Sequence, residues 1–183
     1  GEPVPYLALT NVCPLCTPPK RHAHEPRHTL EQLLSTLKIA GGHGWFVDGG
    51  PSVDMGDGAI ALGLGFRVLA IEARGSTVEV LKQRYEASMA NGSLTILHRA
   101  MSSKRGTRVI YHAQDASSSS PIGFRLAPRL IERDKLNKPR QENVPMVPLD
   151  DVIGDDSCAV IKLDIQGFEH EALLGATKLL SNW

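Results

Sequence analysis

Cysteine is scarce in this sequence, neither charge is in excess, and long apolar runs are absent. The 183 residues include three cysteines, an odd count that does not indicate a disulfide framework. Twenty basic residues balance twenty acidic ones, so the sequence has no excess of positive charge of the kind that binds nucleic acid. No apolar run approaches the roughly 20 residues that a membrane span needs. These absences argue against a disulfide-rich protein and a nucleic-acid partner, and they leave the compartment open.

Hydrophobic residues make up 42% of the sequence, which is enough for a core, and the length suits one domain. Residues 1–44 are predicted to form an irregular arm, rich in proline and histidine, followed by one helix. Thr29 and Gln32 form a capping-box pattern at the start of that helix. Residues 45–183 are predicted to form the main domain.

Short apolar strands alternate with helical patterns through the main domain. The predicted strands are 45–47, 67–73, 94–97 and 159–165, and the predicted helices are 56–64, 76–90 and 168–180. Strands that are apolar throughout favour a parallel sheet covered on both faces. Right-handed crossovers then place all the strand carboxyl ends along one edge, where open α/β sheets bind ligands. We therefore expect an α/β fold with a doubly wound, mostly parallel sheet.

One stretch interrupts this alternation. Residues 108–114 alternate in hydrophobicity and predict an additional strand. Residues 115–143 contain four consecutive serines followed by scattered arginines and lysines. We interpret them as a flexible insertion, with a lid that grips the substrate as the alternative.

The first candidate site is the turn after the first strand, within the segment FVDGGPSVDMG. Gly49 and Gly50 permit a ligand to approach the backbone closely. Asp48, at the strand end, is placed to orient the amino-acid part of a cofactor through hydrogen bonds, and Ser52 belongs to the same turn. A glycine-rich turn by itself is also typical of an ordinary strand-to-helix connection.

The second candidate is Glu72, which ends the second strand and is followed by Ala73. An acid roughly 20 residues beyond the first turn, at the next strand end, is placed to accept hydrogen bonds from both ribose hydroxyls. The GxGxxG fingerprint is absent, which disfavours a nicotinamide- or flavin-dependent oxidoreductase. A turn with Asp48 and Asp54 suits a cationic sulfonium ligand better than a pyrophosphate.

The third candidate is the segment KLDIQGFE at the end of the last predicted strand. We expect Asp164 to reach the same cleft as Asp48 and Glu72, because the strand ends share one edge. An acid this deep in an apolar strand needs a partner. Glu169 falls in the first turn of the following helix, where the helix dipole stabilises an anion.

These segments resemble the FkbM family of S-adenosylmethionine-dependent methyltransferases. KLDIQGFEHEALLGATKLL, residues 162–180, resembles the family signature of an acidic strand end, a glycine, an acid and a helix with Leu-x-Gly-Ala. FVDGGPS and RVLAIEA are similar to the first two cofactor motifs, at matching separation. VPLDDVI and LHRAMSSKRG also fit, so the resemblance covers about residues 45–180.

The resemblance implies a class I methyltransferase fold, which is Rossmann-like, with S-adenosylmethionine as donor and a small-molecule or glycan hydroxyl as acceptor. It implies that Asp48 and Gly50 bind the methionine side of the cofactor and that Glu72 binds the ribose. It also implies that Asp164 lies beside the transfer site, where we expect it to act as the general base.

The sequence departs from the family pattern in two places. Pro51 and Ser52 follow Gly50, and Asp54 stands where the family has a further glycine. Gln166 replaces the family's acid before the signature glycine. A complete fold of this class adds three strands after the last helix, so we interpret the chain as lacking its C-terminal strands. These departures leave open a catalytically inactive relic that still binds the cofactor.

A cluster near the start of the chain is the basis of a different hypothesis. Cys13, Cys16, His22 and His24 are residue types that bind zinc tetrahedrally, which would make the protein a zinc-stapled interaction module. Their spacing departs from that of known zinc motifs. We therefore predict no metal site and interpret the cysteines as free thiols on a loose arm.

Overall fold

The computed structural model describes residues 29–112 and 140–181. The strands are Trp45–Gly49 (β1), Arg67–Glu72 (β2), Leu94–His98 (β3), Ala100–Met101 (β4), Gly106–His112 (β5), Arg140–Val147 (β6) and Cys158–Leu163 (β7). The helices are Leu30–Ile39 (α1), Gly56–Gly63 (α2), Gly75–Arg84 (α3), Glu86–Ala90 (α4), Leu149–Ile153 (α5), Glu169–Leu174 (α6) and Thr177–Ser181 (α7).

Four parallel strands form the main sheet, in the order β3-β2-β1-β7. The connections through α2 and α3 carry the chain from β1 to β2 and then to β3, and the chain later returns to the opposite side of β1 as β7. The strand order therefore reverses between β1 and β7, the position where open α/β sheets bind ligands. The predicted α/β fold with a parallel central sheet is confirmed.

Two hydrophobic clusters cover the two faces of this sheet. Successive side chains of a strand point to opposite faces, so neighbouring residues of β1 and β2 join different clusters. The first cluster includes Leu34, Phe46, Ala61, Val68, Ala70 and Leu81, from α1, α2, α3 and the strands. The second includes Val47, Leu69, Ile71, Leu149, Ala172 and Leu179, from α5, α6, α7 and the strands. Helices on both faces are what a doubly wound sheet requires.

The first helix begins as the sequence predicts. The Thr29 hydroxyl accepts the Gln32 backbone N–H at 3.2 Å, and the Gln32 side chain accepts the Thr29 backbone N–H at 2.9 Å. This capping box satisfies two backbone donors that the helix itself leaves free. Leu34 of α1 is buried in the first cluster, so the helix packs on the main domain.

A second sheet has the order β4-β6-β5, with β5 antiparallel to β6. The predicted additional strand is confirmed as β5. Residues 140–143, which the sequence analysis assigned to the insertion, form the first half of β6. The sequence does not indicate this part of the strand, because its side chains are polar. Its stability comes instead from pairing with β5, which is distant in sequence. Residues 113–139 and 1–28 lie outside the described residues.

Two of the predicted helices are each divided in two. Residues 76–90 form α3 and α4, which are separated at Tyr85. Residues 168–180 form α6 and α7, which are separated at Gly175 and Ala176. A Cβ atom at Gly175 would overlap the carbonyl oxygen of Ser102. The backbone at Gly175 therefore lies too close to the Ser102 backbone for any larger residue.

This contact predicts opposite effects for two glycine substitutions. We expect Gly175→Ala to lower the free energy of unfolding by about 1–3 kcal/mol, because the added methyl must displace backbone. Gly63→Ala, in open space at the end of α2, should leave stability unchanged or raise it by up to about 1 kcal/mol, since alanine favours helix. Urea unfolding of both variants measures the difference, and equal effects would contradict the close approach at Gly175.

Candidate functional site

The carboxyl ends of the main-sheet strands form one edge that brings several predicted site residues together. Gly49 lies in register with Ile71 of β2 and with the last residue of β7. The next residues along the three strands are Gly50, Glu72 and Asp164, which therefore lie in one row. The Asp164 N–H donates to the Gly49 carbonyl at 2.9 Å, and the Gly50 N–H donates to the Ile71 carbonyl at 3.0 Å.

Glu72 is a buried acid at the end of β2, with 7% of its surface exposed. Its Oε1 accepts the Arg74 backbone N–H at 2.7 Å. Burial raises the pKa of Glu72 to about 7, and hydrogen bonds from the backbone of Arg74 and Ala73 oppose that rise. The carboxyl group is therefore close to half ionised at neutral pH.

Asp48 of β1 lies two residues deeper in the sheet than Gly50 and is 1% exposed. Its Oδ1 accepts from Lys162 Nζ at 3.0 Å, and its Oδ2 accepts the Gly58 backbone N–H at 3.2 Å. Asp57 adds a second carboxylate 3.7 Å from Lys162 Nζ. Burial raises the pKa of Asp48, and the Lys162 ammonium opposes that rise. Since both partners of Asp48 are donors, we assign the ionised form.

Both glycines at the start of the first turn are closely packed, and the backbone requires glycine at Gly50. A Cβ at Gly49 would overlap the Met101 side chain and approach Leu163 Cδ2 within 2.8 Å. Gly50 has a φ of 72°, which favours glycine, and a Cβ there would overlap the Asp164 carbonyl oxygen. Because neither residue has a side chain, the end of β1 lies close to β7 at the edge of the sheet.

Residues 52–54 of the turn are exposed but contact the end of α3. The Ser52 hydroxyl donates to the Asp54 carboxylate. Arg84 Nη1 donates to the Val53 carbonyl at 2.9 Å, and the hydroxyl of Tyr85, which follows α3, donates to the Asp54 carbonyl at 2.6 Å. These hydrogen bonds hold the turn against the end of the helix.

The loop after β7 is closed by its own side chains. Glu169 accepts the backbone N–H groups of Ile165, at 3.1 Å, and Gly167, at 2.9 Å. Gln166, with a φ of 59°, donates its side-chain amide to Asp164 Oδ1 at 3.4 Å. Glu169 thus orders the turn before α6, close to the helix-start role that the sequence indicated, and Asp164 is half-buried beside Gly50.

The second sheet reaches this edge at two points. The Gly75 backbone N–H, at the start of α3, donates to both carboxylate oxygens of Glu142, at 3.1 and 3.2 Å. His98 Nε2 lies 3.0 Å from Glu142 Oε1. On β5, the Arg108 guanidinium lies over the Phe168 ring, 4.4 Å from its centre.

Three residues at this edge were not predicted from the sequence to have a role: Lys162, His98 and Glu142. Lys162 carried a signal, because a lysine within an apolar strand needs a buried partner, but the sequence did not show which acid that partner is. His98 ends β3 as Glu72 ends β2, which places it at the same edge. Glu142 carried no signal, since it lay in a stretch assigned to the insertion.

Within residues 29–112 and 140–181, no group of three or more His, Cys, Asp or Glu side chains is arranged to hold a metal ion. None of the helices found there combines the length and the apolar character needed to cross a membrane. Cys13, Cys16, His22 and His24 lie outside the described residues, so the zinc hypothesis stays a hypothesis.

The chain was compared with protein families, curated proteins and solved structures. The family described as the methyltransferase FkbM domain matches residues 57–183. A crystal structure of a methyltransferase FkbM from Methylobacillus flagellatus KT aligns with a TM-score of 0.49 and 23% identity, covering 81% of this chain and 34% of that one. No curated protein matches the chain.

A parallel sheet with acids at its carboxyl edge is the arrangement expected of a Rossmann-like methyltransferase. The family match covers more than half of the chain, and it includes Glu72, Ala73 and Asp164. The chain belongs to the FkbM methyltransferase family, as the sequence motifs indicated. It spans about a third of the length of the aligned methyltransferase.

The buried ion pair predicts a large effect of removing one partner. We expect Lys162→Ala to lower the free energy of unfolding by about 3–5 kcal/mol, because the Asp48 charge then lacks its buried partner. The double variant Asp48→Asn with Lys162→Met should lose less than Lys162→Ala alone. Lys178→Ala, which removes an exposed ion pair with Asp155, is the control and should change little. A double variant less stable than Lys162→Ala in urea unfolding would contradict this.

The raised pKa of Glu72 predicts how stability depends on pH. Below about pH 4.5 the carboxyl group is protonated in both the folded and the unfolded chain. Between about pH 4.5 and pH 7 only the unfolded chain releases the proton, so the free energy of unfolding falls, by on the order of 3 kcal/mol in total. Glu72→Gln should remove this fall.

Urea unfolding at a series of pH values compares Glu72→Gln with the wild type. Glu79→Gln, which alters an exposed glutamate on α3, is the control and should follow the wild-type curve. Parallel pH curves for Glu72→Gln and the wild type would show that Glu72 does not titrate as its burial requires.

Proposed function

We propose that this protein transfers a methyl group from S-adenosylmethionine to a hydroxyl oxygen of a small molecule or glycan. The observation that carries the proposal is the row of Gly50, Glu72 and Asp164 at the carboxyl edge of the sheet. Membership of a methyltransferase family supports the reaction class. The donor, the acceptor and the residues that bind them are the proposed part.

The chemistry of the edge suits S-adenosylmethionine. Glu72 is a carboxylate whose charge is costly to bury, so donor hydroxyls such as those of a ribose would offset that cost. Ala73 follows it and would adjoin the adenosine. Gly49, Gly50 and Ser52 would face the methionine part. Asp48, already held by Lys162 and Gly58, would act there by fixing the turn.

When bound, S-adenosylmethionine supplies a methyl group that is already activated for transfer. The protein must align the acceptor hydroxyl and exclude water, and a positioned base assists by taking the hydroxyl proton. We assign that base to Asp164, because it is half-buried and directly follows β7 at the edge of the sheet. Gln166 holds one of its oxygens through a hydrogen bond of 3.4 Å, which would orient the carboxylate.

The second candidate is that the protein is a relic of the family, which binds the cofactor but is catalytically inactive. The family match begins at residue 57 and so leaves out the first turn. That turn carries Pro51 and Asp54 in place of the family's residues, and Gln166 replaces the family's acid. In this candidate, binding persists while turnover is absent.

Calorimetric titration of S-adenosylmethionine tests the binding part of the proposal. We expect binding that Glu72→Ala weakens by at least about tenfold, since buried hydrogen bonds to a charged group contribute roughly 1.5–3 kcal/mol. Glu79→Ala, an exposed change on α3, should bind as the wild type does. Asp164→Asn should retain binding but lower turnover by about 10²–10⁴-fold, the contribution of a general base.

The outcomes separate the candidates. Binding with turnover that depends on Asp164 supports the enzyme, and binding without turnover of any hydroxyl acceptor supports the relic. No binding, either to this chain or to a form extended past Trp183, would overturn both.

A further inference from the structure

The loop between β2 and α3 directly follows Glu72 and contacts the second sheet. Glu72 ends β2, Ala73 and Arg74 form the connection, and α3 begins at Gly75. The Arg74 backbone N–H donates to Glu72 itself, so the position of the carboxylate depends on the course of this loop. Whatever holds the loop also places the acid.

Glu142 of β6 holds the end of the loop. Its two carboxylate oxygens accept the Gly75 N–H, which is one of the free donors at the start of α3. A Cβ at Gly75 would lie 2.6 Å from Glu142 Oε1 and 3.2 Å from His98 Cε1. A side chain at position 75 would therefore displace the Glu142 carboxylate, which comes from a strand of the other sheet.

His98 of β3 holds the middle of the loop. Its Nε2 lies 3.0 Å from the Ala73 carbonyl oxygen and 3.0 Å from Glu142 Oε1. Both atoms are acceptors, so Nε2 carries the proton and donates to them. His98 also pairs in register with Glu72 across β2 and β3. Through its backbone and its imidazole, His98 thus links β2, which carries Glu72, to the loop of residues 73–75 and to the second sheet.

We propose that His98 and Glu142 are positioning residues that fix the loop of residues 73–75, so that Glu72 is presented to the ribose of the cofactor. Neither side chain needs to contact the cofactor. The inference rests on the proposed function, because it concerns the same cofactor site. It gives the second sheet a role, since β6 supplies the carboxylate that accepts the Gly75 N–H.

The main consequence is a specific kinetic signature. Disordering the loop weakens cofactor binding, but the reacting groups near Asp164 are unaffected once the cofactor is bound. We therefore expect His98→Ala and Glu142→Ala each to raise the Kd and the KM for S-adenosylmethionine by about tenfold, with kcat within about twofold of the wild type. Because both residues hold one loop, the double variant should be little weaker than either single variant.

Conservative variants and a matched control separate positioning from general stability. His98→Gln keeps a side-chain N–H donor, and Glu142→Gln keeps one acceptor oxygen, so each should recover most of the lost affinity. Gln141→Ala changes an exposed residue next to Glu142 on the same strand and should bind as the wild type does. Urea unfolding of every variant shows which are folded, and if one alanine variant does not fold, the affinity of the other alanine variant decides the matter.

The test distinguishes this inference from the proposed function. If the wild type binds S-adenosylmethionine but the folded alanine variants bind it equally well, the pair only packs, and the positioning role is overturned while the proposed function stands. A fall in kcat with unchanged Kd would also overturn it. If the wild type does not bind, the proposed function fails and this inference fails with it.

Discussion

The buried ion pair between Asp48 and Lys162 is the interaction on which the rest of the site depends. It joins β1 to β7 at the point where the strand order reverses, and the Gly58 N–H adds α2 to the same carboxylate. An ion pair this deep is costly unless its geometry and hydrogen bonds are complete. Here each Asp48 oxygen has a donor, so the pair fixes the register of the strands and the start of the turn that follows β1.

Two residues beyond Asp48, toward the carboxyl ends of the strands, the parallel register places a glycine and two acids in one row. Gly50 lies between Glu72 and Asp164, and its missing side chain lets the end of β1 lie against the Asp164 backbone. Burial keeps Glu72 near its midpoint of ionisation at neutral pH. The edge is thus a place where hydrogen-bond donors or a cation bound by the protein would reduce the cost of buried negative charge.

The second sheet contributes side chains to the edge of the main sheet. Glu142 is bound to the start of α3 and to His98, and Arg108 lies over Phe168 next to α6. These contacts reach the edge of the main sheet at both the Glu72 end and the Asp164 end. Both long strands of the second sheet, β5 and β6, therefore contact residues at this edge.

The sequence by itself determined the alternation of apolar strands and helices, the capping box at Thr29 and the family, because these signals are local or lie in short motifs. It also predicted that Glu72 and Asp164 share an edge, since parallel strands with right-handed connections leave little choice. Only the tertiary structure decided the partners of Lys162 and Glu142 and the break at Gly175. Each depends on contacts between segments far apart in the chain, and such contacts leave no periodic signal in the sequence.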